Sequence, residues 1–163
     1  MKVIVNAGDG RGATKKRPAF IQVAVFLISL AFLVWSVAGL IANPDFATGS
    51  DATSRQVLGI DFNGWHAVLG FALFGPGLLF ALRKHWALLF ALAAIVSLVA
   101  SGSWALLDTR PVDVLYFQHN GADAALHFSS AAAYGIAVII HWLRSPRRGA
   151  AGHTIATARG VSG

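Results

Sequence analysis

The chain has 163 residues, of which 56% are hydrophobic and 12% charged. A soluble domain carries about twice that charged fraction, and four apolar stretches of roughly 20 residues would fill about half the length, leaving no room for a separate soluble catalytic domain. The absence of cysteine excludes disulfides, thiolate metal sites, iron–sulfur clusters, c-type haem attachment and lipidated cysteines.

Residues 1–18 are basic, Gly-rich and without apolar period, so a flexible N-terminal tail is expected. Gly8-Asp9-Gly10-Arg11-Gly12 has the wrong spacing for a dinucleotide-binding turn, and an apolar span follows it instead of a βαβ unit. That first span covers about 19–42, with Gln22, Ser29 and Ser36 as its polar members. Its apolar run exceeds the roughly 7–15 residues of a signal peptide, so it reads as a membrane helix. The segment Asn43–Phe62 is rich in Pro, Gly, Ser and Asp and reads as an irregular connection.

The second and third spans, about 65–82 and 86–107, are separated only by Arg83-Lys84-His85, which predicts a tight antiparallel hairpin. Gly75-Pro76-Gly77 predicts a break in the second span that frees backbone carbonyls. The fourth span covers about 122–143, and 144–163 reads as a second flexible basic tail. At about 1.5 Å per residue each span can cross a hydrocarbon core about 30 Å thick. The expected fold is thus all-α, a polytopic bundle of four transmembrane helices.

Charge sets the orientation. Of the 13 Lys and Arg residues, all but Arg55 and Arg110 fall before the first span, between the second and third, or after the fourth. The other side holds Asp45, Asp51, Asp61, Asp108 and Asp113. The positive-inside rule predicts both termini in the cytoplasm. A pI near 10.6 follows from that topology and requires no nucleic-acid partner. The basic flanks are expected to contact anionic lipid headgroups. Trp65, Trp86, Trp104 and Trp142 lie near span ends, where indole rings favour the headgroup zone, and Trp35 lies deeper.

The second and fourth spans open alike. Asn63-Gly64-Trp65-His66 leads into Leu69-Gly70-Phe71, and Asn120-Gly121-Ala122-Asp123 leads into Leu126-His127-Phe128. Each Asn is a plausible N-cap, and His66 and Asp123 take equivalent positions, which predicts two weakly repeated helical hairpins. At these residues the chain resembles an uncharacterised family of four-helix integral membrane proteins, a domain of unknown function common in high-GC Gram-positive bacteria. Asn63, His66 and Gly70, then Asn120, Asp123 and His127, correspond to its motifs over about residues 18–145. The resemblance implies the four-span fold and a plasma-membrane location, and no activity.

Asp123 and His127 stand four apart on one helix, so their side chains share a face that Ser130, Tyr134 and His141 continue. An ionisable residue inside a span is expensive to insert and is a functional candidate by default. The polar focus expected here is Asn63, His66, Asn120, Asp123 and His127. In the simplest reading these residues cap helices and hold them together, and no cofactor is expected. A divalent-metal site from His66, Asp123 and His127, completed by His119 or water, is one alternative. A b-type haem between His66 and His127 is another, and a small oligomeric channel or transporter built around the Pro76 break is a third. Small-residue stripes, Ala93-Ser97-Ser101 and Ser129 to Ala133 with Gly135, predict close helix approach within the bundle or in a homo-oligomer or larger complex. The chain has no glutamate, no P-loop and no HExxH motif, so an enzyme is not expected. The leading expectation is a structural or accessory membrane subunit.

Overall fold

A computed structural model describes residues 17–48, 53, 55–107 and 121–145. Four helices account for most of them: α1 (Phe20–Ala42), α2 (Gly64–Phe80), α3 (Lys84–Leu107) and α4 (Gly121–Arg144). Three of these, α1, α3 and α4, are long and apolar enough to cross a membrane, whereas α2 has only 17 residues. The expected tails, 1–18 and 144–163, lie almost wholly outside the described residues, as does Asn120.

The boundaries shift in physically readable ways. The second span closes at Phe80 instead of Leu82, because Ala81, Leu82 and Arg83 turn the chain. Lys84 and His85, expected in the linker, instead form the first turn of α3. Gly75-Pro76-Gly77 does not interrupt α2, which runs through Pro76. The Asn43–Phe62 segment is not wholly irregular. It contains two short antiparallel strands, β1 (Arg55–Val57) and β2 (Ile60–Phe62), paired Arg55 to Phe62 and Val57 to Ile60. The turn between them places Leu58 and Gly59 at positive φ, 54° and 83°, the geometry of a two-residue hairpin. An all-α description therefore holds for the bundle and not for this cover.

The helices pack as two antiparallel pairs, α1 with α2 and α3 with α4, while α2 and α3 touch far less despite their short link. The reason lies in small residues. A Cβ on Gly77 would collide with Ser29 and one on Gly70 with Ser36, so α1 and α2 approach closely at two levels. Phe32 stacks on Phe74 between these levels, with ring centres 4.3 Å apart. On α3 the buried small residues are Ala87, Ala91, Ala94, Gly102 and Ala105. The Ala93-Ser97-Ser101 stripe does not serve approach within the bundle, for Ala93 and Ser97 are exposed and Ser101 is only partly covered.

The centre of the bundle joins the two pairs. Ile21, Val25, Phe74, Phe90, Leu98 and Tyr134 belong to one buried cluster, with Tyr134 fully inaccessible. Its hydroxyl lies 3.3 Å from Ser29 Oγ, which satisfies both groups in an apolar interior. At the end where α1 starts, Gln22 accepts from Ala19 N–H and donates to the Ala81 carbonyl, each at 3.0 Å, tying α1 to the end of α2. Arg144 reaches from α4 to lie 4.9 Å above the Phe20 ring. The described charges are thus segregated. Arg17, Arg83, Lys84 and Arg144 share one end, and Asp45, Arg55, Asp61 and Asp123 the other.

Candidate functional site

The acidic end is built around Asn63. It is buried, and its side-chain oxygen accepts from His66 N–H at 3.0 Å, capping α2 as its sequence position predicts. That cap fixes the first turn and directs His66 across the bundle. The imidazole stacks on Phe62 at the end of β2, with ring centres 4.6 Å apart and planes within 3°. Phe62 in turn sits against Gly39, where any Cβ would overlap its ring. Asn43 closes the same corner by donating to the Phe62 carbonyl at 3.0 Å.

From the opposite pair, α4 presents Asp123 in its first turn and His127 one turn later. Asp123 is fully buried. Its two carboxylate oxygens face two imidazoles, His66 Nε2 at 3.7 Å and His127 Nε2 at 3.5 Å, whose side chains are 16% and 15% exposed. These separations are ion-pair distances, longer than a good direct hydrogen bond. A carboxylate removed from water is strongly disfavoured unless positive charge or donors compensate it. Either imidazole, when protonated, supplies that charge, and the positive end of the α4 dipole adds to it. The structure therefore brings together three of the five residues of the expected polar focus, with Asn63 as the support behind one of them.

The metal reading fares differently. Among the described residues, no group of three or more His, Cys, Asp or Glu side chains could hold a metal ion. His119, the expected fourth ligand, lies outside the described residues. Further along α4, Ser130, Tyr134 and His141 are buried on the same face as expected. They do not form a continuous polar file. Ser130 Oγ donates to the Leu126 carbonyl at 2.6 Å, and Ala137 and Val138 fill the face between Tyr134 and His141.

The loop over this end carries order that composition did not reveal. Asp45 accepts from Ala47 N–H at 2.8 Å and Thr53 N–H at 2.7 Å, and also from the Thr53 hydroxyl. The Thr53 hydroxyl, then these N–H groups, hold the Asp45 carboxyl below its ordinary range. Trp65 fastens the loop, because its Nε1 donates to the Phe46 carbonyl at 3.0 Å and its ring meets Phe46 edge-on.

The capped Asn63-to-Gly70 segment and the Asp123-to-His127 turn are the motifs behind the family resemblance. The sequence from 22 to 140 matches the family described as Domain of unknown function (DUF4383). The chain belongs to DUF4383. The matched region of this DUF4383 chain runs from Gln22 on α1 to Ile140 on α4 and includes every residue of the cluster. No curated protein and no solved structure matches this chain. Two elements of the site escaped sequence reading, the Phe62 platform and the Asp45 turn. The advance signal for the Phe62 platform was the placement of Ile60 and Phe62 at a period of two just before Asn63.

Proposed function

We propose that this DUF4383 chain is a four-span plasma-membrane protein, with both termini cytoplasmic, that serves as a non-enzymatic structural or accessory subunit. In this reading α2 is the fourth span, short but apolar. The acidic end faces outward, beneath the β1–β2 hairpin. The two helix pairs act as weakly repeated halves, and the His66–Asp123–His127 cluster locks them together. The observation that carries the proposal is Asp123, fully buried on α4 between its own His127 and His66 of the other pair.

A buried carboxylate shared by two imidazoles is well suited to specifying how two hairpins dock. Polar groups in membranes favour one arrangement because any other leaves them unsatisfied in hydrocarbon. Both Nε2 atoms turn toward carboxylate oxygens, an arrangement that suits a polar lock between helices. The unbroken α2 and the apolar Ala137 and Val138 speak against a conducting path. A subunit role predicts association with a second copy or a larger membrane complex.

The test is purification in mild detergent of wild type and His127→Ala, followed by elemental analysis, visible spectroscopy and identification of co-purifying proteins. Colourless, metal-free protein that brings down a reproducible membrane partner, or a defined homo-oligomer, supports the proposal. A stoichiometric metal or a Soret band that disappears in His127→Ala overturns it in favour of a cofactor site.

A further inference from the structure

The basic end of the bundle carries a cleft of about 360 Å³ between the start of α1 and the end of α2. Its wall is Pro18, Gln22, Val23, Phe26, Ala81 and Leu82. The cleft has a structural cause. In the register that sets Ser29 against Gly77 and Ser36 against Gly70, the last residue of α2, Phe80, lies level with Phe26. The six residues of α1 before Phe26 extend past α2 by about 9 Å. At 17 residues α2 is itself about 26 Å long, short of a hydrocarbon core about 30 Å thick. Hydrophobic mismatch of this kind must be filled by something apolar or relieved by thinning the bilayer.

The wall and the rim differ in chemistry. Gln22 is the one polar residue of the wall, and its amide is already committed to Ala19 and Ala81. Arg17 and Arg83, both exposed, directly adjoin the lining residues Pro18 and Leu82. Lys84 and Arg144 stand at the same end, and no Asp or Glu does among the described residues. An apolar slot below a group of cations with no carboxylate at that end among the described residues fits an amphiphile with an anionic head. A free anion would leave the slot uncovered, and a zwitterionic lipid would leave the cations without net partners.

We propose that this cleft holds an acyl chain of one anionic phospholipid of the inner leaflet, with its phosphate held by Arg17 and Arg83. The proposal rests on the membrane orientation given above. Its test is native mass spectrometry of the full chain released from nanodiscs containing equal phosphatidylglycerol and phosphatidylcholine. Wild type is expected to retain one phosphatidylglycerol. Val23→Trp, which fills the slot from a residue 41% exposed, should lose it. Arg17→Gln with Arg83→Gln, at exposed positions, should keep a lipid but lose about tenfold or more of the headgroup preference. Equal retention of both lipids by wild type overturns the proposal, as does unchanged retention in Val23→Trp. A lipid-free wild type also overturns it, including one whose cleft is shielded by a second copy. Failure of the underlying orientation reads out separately, as labelling of Arg83→Cys by an impermeant thiol reagent in intact cells.

Discussion

Ser36 Oγ fills the space that a Cβ on Gly70 would need, while donating to the Phe32 carbonyl at 2.9 Å. Seven residues away on each helix, Ser29 stands in the same relation to Gly77. The α1–α2 pair is therefore zipped by small residues at a heptad interval, which lets the backbones approach where lipid gives no hydrophobic drive.

This seam ranks glycine substitutions. A Cβ on Gly77 would also meet the Phe90 ring at 2.8 Å. Gly77→Ala should cost about 1–3 kcal/mol by overpacking, more than the roughly 0.5–1 kcal/mol gained in helix propensity. Gly70→Ala should cost less, because Ser36 can turn away at the loss of one hydrogen bond, about 0.5–1.5 kcal/mol. Adding Ser36→Ala should recover most of that loss. Gly135 has nothing within 4 Å of its Cβ position, so Gly135→Ala should be neutral or stabilising. Thermal unfolding in detergent measures the series, and a Gly77→Ala chain as stable as wild type would refute the seam.

The Asp123 cluster should behave as a unit. Removing one partner from a fully buried pair costs about 3–5 kcal/mol, and the partial exposure of both imidazoles places His66→Ala and His127→Ala below that range. On an Asp123→Asn background, where no carboxylate charge remains, either substitution should cost much less. A double-mutant cycle measures the coupling. Additive losses would mean that the imidazoles act independently of the carboxylate.

The orientation is directly measurable because the chain has no cysteine. Leu58 at the hairpin tip is 84% exposed, and Arg83 at the α2–α3 turn is also exposed. An impermeant maleimide should label Leu58→Cys in intact cells and Arg83→Cys only after lysis. A periplasmic-type reporter fused after Gly163 should stay inactive. The reverse labelling pattern would invert the topology.

The loop should loosen in acid. Hydrogen bonds hold the Asp45 carboxyl below its ordinary value of 3.8. A carboxylate depressed by folding stabilises the loop fully above its unfolded value and ceases to do so as pH falls through the folded one. Order around Ala47 and Thr53 should thus persist at neutral pH and fade only below 3.8. Thr53→Ala should move the Asp45 titration back up toward that value, as followed by carboxyl NMR. An unmoved titration would show that the Thr53 hydroxyl contributes nothing.

Apolar length and charge were legible in the sequence because both are sums over residues. The positions of α1, α3 and α4, the gathering of Arg17, Arg83, Lys84 and Arg144 at one end and the Asn63 cap follow from local composition and spacing alone. The i, i+4 relation of Asp123 and His127 follows equally from helical period. The tertiary structure decided what depends on register between segments distant in the chain. Which stripe of α3 faces inward cannot be read from side-chain size, since Ala93-Ser97-Ser101 and the buried Ala87, Ala91 and Ala94 are all small. Whether Ser29 meets Tyr134, 105 residues away, or Phe62 lies under His66, depends on how the two pairs dock. Short strands such as β1 and β2 escape composition for the same reason, because each is stabilised by its partner and by the bundle beneath it. Membrane insertion is encoded residue by residue, whereas the site is a property of contacts that exist only once the helices have assembled.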